Sequence, residues 1–360
     1  MERETLYDYA ITLLEELIAT PSFSSEEDKT ATAIQVWLDA FNIPHQREQN
    51  NVYAFNKYFD DSKPNLLLNS HHDTVKPNKA YTKDPFHPHV EDGKLYGLGS
   101  NDAGGCLVSL LATFTHFYER KDLNHNIIIV ASAEEESSGS NGLNSMLPLL
   151  PEIDVAIVGE PTLMQLAIAE KGLVVFDATV KGTPSHAAHP NDNNSIYNTI
   201  EVLQWFEACR FEKISEVLGE VKLTVTQINA GTQHNVVPAQ VELVVDVRVN
   251  DCYSNQEIAT FLEENAPCEV HARSLRLNSS SIKKDHPLVA SGIALGRTTY
   301  GSPTLSDQAA LSCQSLKLGP GDSTRSHSAN EFIFVDEIKE GIDLYIQILN
   351  AFLVDEIRNN

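Results

Sequence analysis

Three short apolar runs constrain the fold of this chain more than any other feature: Leu66–Leu68, Ile127–Val130 and Val155–Val158. Each is about strand length, rich in branched residues, and flanked by polar or helical stretches. That is the pattern of strands buried on both faces of an α/β sheet. The first run continues into Ser70-His71-His72-Asp73, the second into Glu134-Glu135-Glu136, and the third into Gly159-Glu160-Pro161. Open α/β sheets collect ligands beyond the carboxyl ends of their strands. Three strands delivering His, Asp and Glu to one edge point to a cation site, because imidazole and carboxylate suit zinc and related ions. Taken singly, the motifs have plainer readings: loop polarity, a solvated acidic face, a turn. Their joint placement at strand ends carries the weight.

The remaining pattern builds around those strands. Ala10, Leu13, Leu14, Leu17 and Ile18 lie on one helix face. Ser24 with Glu27 reads as a capping box opening a second helix through Ile34, Trp37, Leu38 and Phe41. A helix is expected from Cys106 through Phe117. From Gly172 the pattern changes: a strand to Lys181, a helix over 196–206, strands at 221–228 and 240–249, a helix near 256–264 and a strand near 268–275. The order β-α-β-β-α-β is the ferredoxin-like layout. The first character resumes after Asp285 and ends in a helix from about Asp336 to Ile357. We therefore expect an α/β fold with a first domain of residues 1–171 and 286–360 and an inserted domain of residues 172–285.

Composition narrows the function. A chain of 360 residues with 42% hydrophobic content can bury two ordinary cores. It has no apolar run of about 18 residues, so no membrane span is expected. The N-terminus lacks the basic start and apolar core of a signal peptide, and a cytoplasmic location is expected. The formal net charge of −24 argues against a nucleic-acid partner, which needs a basic face. The five cysteines are scattered, without a C-x-x-C pair, which argues against a disulfide framework or a cysteine zinc site.

Five motifs in order carry a resemblance over nearly the whole chain. They are His71-His-Asp73, Gly97-Leu-Gly99-Ser-Asn-Asp102-Ala-Gly104-Gly105, Glu134-Glu135-Glu136, Gly159-Glu160-Pro161-Thr162, and Gly319-Pro-Gly321 followed by His327-Ser-Ala-Asn330-Glu331. This set resembles the M20 metallopeptidase family, which includes acetylornithine deacetylases, succinyl-diaminopimelate desuccinylases, aminoacylases and carboxypeptidases. The resemblance implies a zinc-dependent exopeptidase-like mixed sheet flanked by helices, with the insert acting as a dimerisation and lid domain. It further implies two zinc ions, cobalt or manganese being alternatives. His71 and Glu160 would hold one, Glu136 and His327 the other, and Asp102 would bridge them. Glu135 resembles the general base and Asp73 the carboxylate that orients His71, while His72 points away as a bystander. The bond Asp102-Ala103 would be cis.

The insert's Gly182-Thr-Pro-Ser185-His186 resembles the lid motif whose histidine reaches the active site of a partner subunit, so a homodimer is expected. Asn235 and Arg248 match substrate-pocket motifs. Arg325, beside His327, is a candidate partner for an acidic acyl group such as succinyl. Asp307 or Asp322 would suit a substrate amine. The leading expectation is an acetylornithine deacetylase-like amidohydrolase acting on a small N-acyl amino acid in arginine biosynthesis. Removal of succinyl from diaminopimelate, or of an acyl group from citrulline, is the near alternative. A two-metal dipeptidase or aminopeptidase would demand a free α-amine, and a non-catalytic scaffold would have lost a ligand or the base.

Overall fold

A computed structural model describes residues 3–354. The chain divides into two compact units. The first comprises the residues up to 168, then 282–300, and those from 306 onward; the second comprises 169–281 with 301–305. The short return at 301–305 has no counterpart in the expected insert of residues 172–285.

The first unit is organised by a mixed sheet. Its strands run in the order His45–Glu48, Asn51–Phe55, Asn126–Ser132, Asn65–His71, Val155–Val158, Gln314–Lys317 and Leu166–Glu170. The three apolar runs form its parallel centre, with Leu66 opposite both Ile127 and Val155. All seven residues of Asn126–Ser132 are buried, which explains the absence of alternation in the sequence. Helices Arg3–Ala19, Asp28–Ala40, Gly105–Phe117 and Val335–Leu353 contribute to one large apolar core with residues of this sheet. Val335–Leu353 shows why: Ile338, Ile342, Tyr345, Ile346, Leu349 and Phe352 repeat at helical spacing and are buried. Tyr53, Leu67, Ile128, Val130 and Ala156 belong to a second, smaller core.

Two expectations need correction. Ser24 does not cap the second helix. That helix starts at Asp28 with Glu27 as its N-cap, and the Ser24 hydroxyl donates instead to Asp73 Oδ2 at 2.7 Å. The last helix ends at Leu353, and the expected residues 355–357 lie outside the described ones.

The second unit carries a four-stranded antiparallel sheet, ordered Lys222–Ala230, Gln240–Val249, Gly172–Lys181, Glu269–Ala272. Helices Ser195–Ala208 and Asn255–Asn265 complete the βαββαβ order. Val241, Leu243, Val245, Val247 and Val249 alternate inward to a core of their own. The last strand is shorter than the expected 268–275.

Candidate functional site

The ends of the central strands and the turns after them converge. His71 closes its strand with Nδ1 3.0 Å from the carbonyl of Asp73 and 3.3 Å from Asp73 Oδ1. A proton on Nδ1 satisfies both, which aims the Nε2 lone pair away from Asp73. That Nε2 lies 3.3 Å from Asp102 Oδ1, 3.7 Å from Glu160 Oε1 and 4.0 Å from Glu135 Oε2. His327 Nε2 lies 3.0 Å from Glu136 Oε2 and 3.6 Å from Asp102 Oδ2. Asp102 therefore stands between two imidazoles, one oxygen toward each. Donor atoms of His71, Asp102 and Glu136 fall within 4.8 Å of one another, and so do those of His71, Glu135 and Glu160.

Asp73 does more than orient His71. Its Oδ1 accepts the N–H of Glu135 at 3.0 Å and its Oδ2 that of Glu136 at 3.1 Å. One buried carboxylate thus fixes an imidazole and the two acidic residues facing it. Glu134 turns away with φ +54°, and its carboxylate accepts from Ser25 and Asn141. Of the three acids in the run, only Glu135 and Glu136 enter the cluster. His72 is buried outside it, hydrogen-bonded with Thr30 and with the Asn50 carbonyl, and burial pushes its pKa down to about 4.

The Asp102 turn is built on Gly99 (φ +75°), and the bond Asp102-Ala103 is cis. A Cβ on Gly99 would meet the Thr74 side chain at 2.5 Å, so glycine is needed there for both backbone and space.

So many carboxylates cannot all ionise together unaided. At an effective dielectric of about 20, two like charges 4 Å apart repel by about 4 kcal/mol. Burial, with the Glu160, Asp307 and Glu136 charges adding to it, holds Glu135 well above the usual carboxylate range against the pull of His71. Burial and Asp102 push Glu160 up to about 8, although His71 and Lys317 oppose them. Burial would lower His71, but its contacts with Asp102 and Asp73 and the Glu135 and Glu160 charges outweigh that and raise it. His327 rises to about 9, chiefly through Glu136. Such a donor set, of two imidazoles and surplus carboxylate, fits divalent cations, which would relieve the repulsion.

Three further residues belong to this surrounding. Asp307 accepts the Ser132 hydroxyl at 2.5 Å, and burial raises it to about 6. Lys317 is buried at the end of its strand, opposite Val158. Glu331 is 1% exposed and accepts the main-chain N–H groups of Asn101 and Asp102. The signal for Glu331 was present in the sequence, at the end of the fifth motif, but spacing alone gave it no role.

Arg325 does not offer a free guanidinium. It forks onto Glu337 at 2.7 and 3.0 Å and lies over the rings of Phe332 and Phe334. The side chain that the sequence offers to an acyl carboxylate is here linked to the start of the last helix. In the second unit, Arg248 likewise forks onto Asp246 at 2.9 and 3.2 Å. His186 is exposed, and its Nδ1 accepts the Ala188 N–H. Its strand pairs with Val236–Val237, and Ala187 N–H donates to the Asn235 carbonyl, so His186 and Asn235 share one small ribbon.

Residues 67–351 match the model of peptidase family M20/M25/M40. The chain belongs to that family. It is 28% identical over 330 residues to a succinyl-diaminopimelate desuccinylase of Rickettsia bellii, covering 83% of each chain. It is 27% identical over 384 residues to an acetylornithine deacetylase of Proteus mirabilis, covering 96% of this chain and 97% of that one. In fold it is similar to a dinuclear metal-binding M20 peptidase of Bacillus subtilis, with TM-score 0.73, 16% identity, and coverage of 97% and 98%. A Staphylococcus aureus tripeptidase has TM-score 0.75 at 18% identity, with coverage of 96% and 98%. The M20 chain described here is thus a hydrolase acting on amide bonds. Among the described residues, no helix is long and apolar enough to cross a membrane.

Proposed function

We propose that this chain is a two-metal amidohydrolase that removes an acetyl or succinyl group from the amine of an amino acid. The observation that carries the reading is Asp102, set between His71 and His327 with a separate carboxylate beside each imidazole. His71 and Glu160 would hold one ion, Glu136 and His327 the other, and Asp102 both; zinc is the leading ion, with cobalt or manganese as alternatives. A bound pair supplies Lewis acidity toward the amide carbonyl and lowers the pKa of water.

The chain's own groups do the rest. Glu135 would take the proton from the attacking water and return it to the departing amine, a role supported by its place beside His71 and Glu160. Asp73 keeps the proton of His71 on Nδ1 and holds the backbone of Glu135 and Glu136. His186, on the exposed ribbon of the second unit, would donate to the oxyanion in a partner copy of the chain. A homodimer through that unit is supported by Ile196, Tyr197 and Ile200, exposed at 45, 71 and 57% on one helix, and by the edge position of strand Lys222–Ala230. Asn235 would line the acyl-amino-acid pocket. Arg248 would do so only by leaving Asp246.

Acetylornithine-type deacylation, as in arginine biosynthesis, is the leading substrate reading. Relatives described as desuccinylases favour succinylated diaminopimelate as the second. The test is release of free amine from N-acetyl- and N-succinyl-ornithine, -citrulline and -diaminopimelate with zinc present. Turnover of an N-acylated compound supports the deacylase; activity confined to peptides with a free α-amine overturns it.

A further inference from the structure

Asp102 can serve two imidazoles only if its carboxylate is held still, yet its own turn offers little to hold it. At Asp102 the backbone is extended (φ −120°, ψ 98°), so its N–H makes no helical bond. Asn101, immediately before it, is fully buried. A buried N–H left without an acceptor is destabilising, so both need a partner. The partner is a single atom: Glu331 Oε1 accepts the N–H of Asn101 and that of Asp102, each at 2.9 Å. The Glu331 carbonyl also accepts the N–H of Gly97, at the start of the same turn.

Glu331 lies only four residues beyond His327, and the segment between them is tied down as well. Asn330 Oδ1 accepts the N–H groups of Thr82 and Lys83 at 2.9 Å each, and Asn78 Nδ2 donates to the His327 carbonyl at 3.1 Å. Asn101 closes the circuit from the other side. Its amide donates to the Asp322 carbonyl at 3.1 Å and accepts the Asp322 N–H at 3.0 Å. The Asp102 turn and the His327 loop are thereby held as one body, with the Glu331 carboxyl at the joint.

We propose that Glu331 is a positioning residue that fixes Asp102 and His327 relative to each other and so sets the affinity of the site for its second ion. This rests on the two-metal reading above. The role depends on reach and on accepting capacity rather than on charge. Glutamine keeps both, because its amide oxygen can accept the same two N–H groups. Aspartate keeps the charge but is one methylene too short.

The experiment is metal affinity by competition with a chromophoric chelator, using zinc on the full chain, alongside the melting temperature of the metal-free protein. The unmodified chain is expected to bind two ions; if it binds none, the two-metal reading fails and Glu331 is not at issue. Given two ions in the parent, Glu331→Asp and Glu331→Ala should weaken the second by about 10–100-fold, the usual scale for a residue behind a metal ligand. The first ion should stay within about threefold, and Glu331→Gln should keep both within that range. A merely structural role would lower the melting temperature and leave the ratio of the two affinities unchanged. That result overturns the inference, as does a glutamine variant as weak as aspartate. If Glu331→Ala does not fold, the contrast between glutamine and aspartate still decides.

Discussion

His71 ends a seven-residue strand with 1% of its side chain exposed, whereas His327 stands on a loop with φ +56° and 54% of its side chain exposed. The same chemical group is held by two different means. For His71 the central sheet does the work: the strands on either side are fixed by register, and Asp73 completes the setting from two residues away. For His327 no sheet is available, and a ring of side-chain-to-backbone bonds from Asn78, Asn101, Asn330 and Glu331 substitutes for one. The inner half of the site should therefore be rigid in the absence of metal. The outer half should depend on its ties. Local opening is cheapest where backbone is exposed and few apolar contacts hold it, which places the His327 loop at the labile end.

The largest effect should come from the residue common to both halves. Asp102→Ala is expected to bring metal content from about two ions per chain toward zero and to lower kcat/KM by about 10³-fold or more, the loss of several kcal/mol of Lewis-acid stabilisation. Elemental analysis after gel filtration measures the first and a progress curve the second. Retention of both ions would remove Asp102 from the centre of the site.

Next come the variants that separate the halves. Glu160→Ala should deplete the inner ion and His327→Ala the outer one, each leaving about one ion per chain, since a site with so few ligands has none to spare. The asymmetry sharpens on adding metal. Excess zinc should restore His327→Ala more fully than Glu160→Ala, because solvent already reaches the outer position and water can take the vacant place. Equal recovery, or none in either, would contradict the division into a rigid and a labile half.

How much of this was legible in the sequence follows the same division. The inner half was readable because its residues terminate apolar runs, and a run's periodicity announces the strand that carries it. All three runs became neighbouring parallel strands with their acids at one edge. The outer half was readable only through the motif set, since a loop has no periodicity to read. What stayed hidden in both halves was side-chain commitment across long separations. Asp73 holds backbone groups 62 and 63 residues away, and Glu331 holds Asp102 across 229. Ser24 was read as a cap because its spacing to Glu27 satisfies a local rule, but Asp73 offered its hydroxyl a stronger, ionised acceptor. Strands His45–Glu48 and Asn51–Phe55 were missed for the ordinary reason that they are short and mixed in composition.

Glu135 tests where the inner half stops. Its Oε2 is close enough to His71 and Glu160 to join them around an ion, yet the proposed mechanism needs it free to carry a proton. Glu135→Gln should keep about two ions per chain and lower kcat by about 10²-fold or more, the scale of lost general-base catalysis. Loss of the inner ion with rate per bound ion preserved would make Glu135 a ligand and shift the base elsewhere.

The smallest effect concerns Arg325, which the sequence offered as a partner for an acidic acyl group and the structure ties to the outer loop. Its fork onto Glu337 joins the turn after Asp322 to the first turn of helix Val335–Leu353, where Glu337 also accepts the Phe334 N–H at 3.1 Å. An acid there is favoured by the helix N-terminus, and the guanidinium stacks on Phe332 and Phe334 while bonding it. Lysine retains the charge but can neither fork nor stack, so Arg325→Lys should destabilise the first unit by about 1–2 kcal/mol. That corresponds to a fall in Tm of about 2–4 °C for each kcal/mol in a unit of this size. If Arg325 holds the loop rather than the substrate, KM for N-succinyl and N-acetyl compounds should change alike and by less than about twofold, as expected when no substrate contact is lost. A tenfold rise confined to N-succinyl substrates, on the order of 1.4 kcal/mol, with an unmoved Tm would return Arg325 to the pocket. It would also show that the Glu337 fork opens to admit the acyl carboxylate, making the labile half of the site the one that reads the substrate.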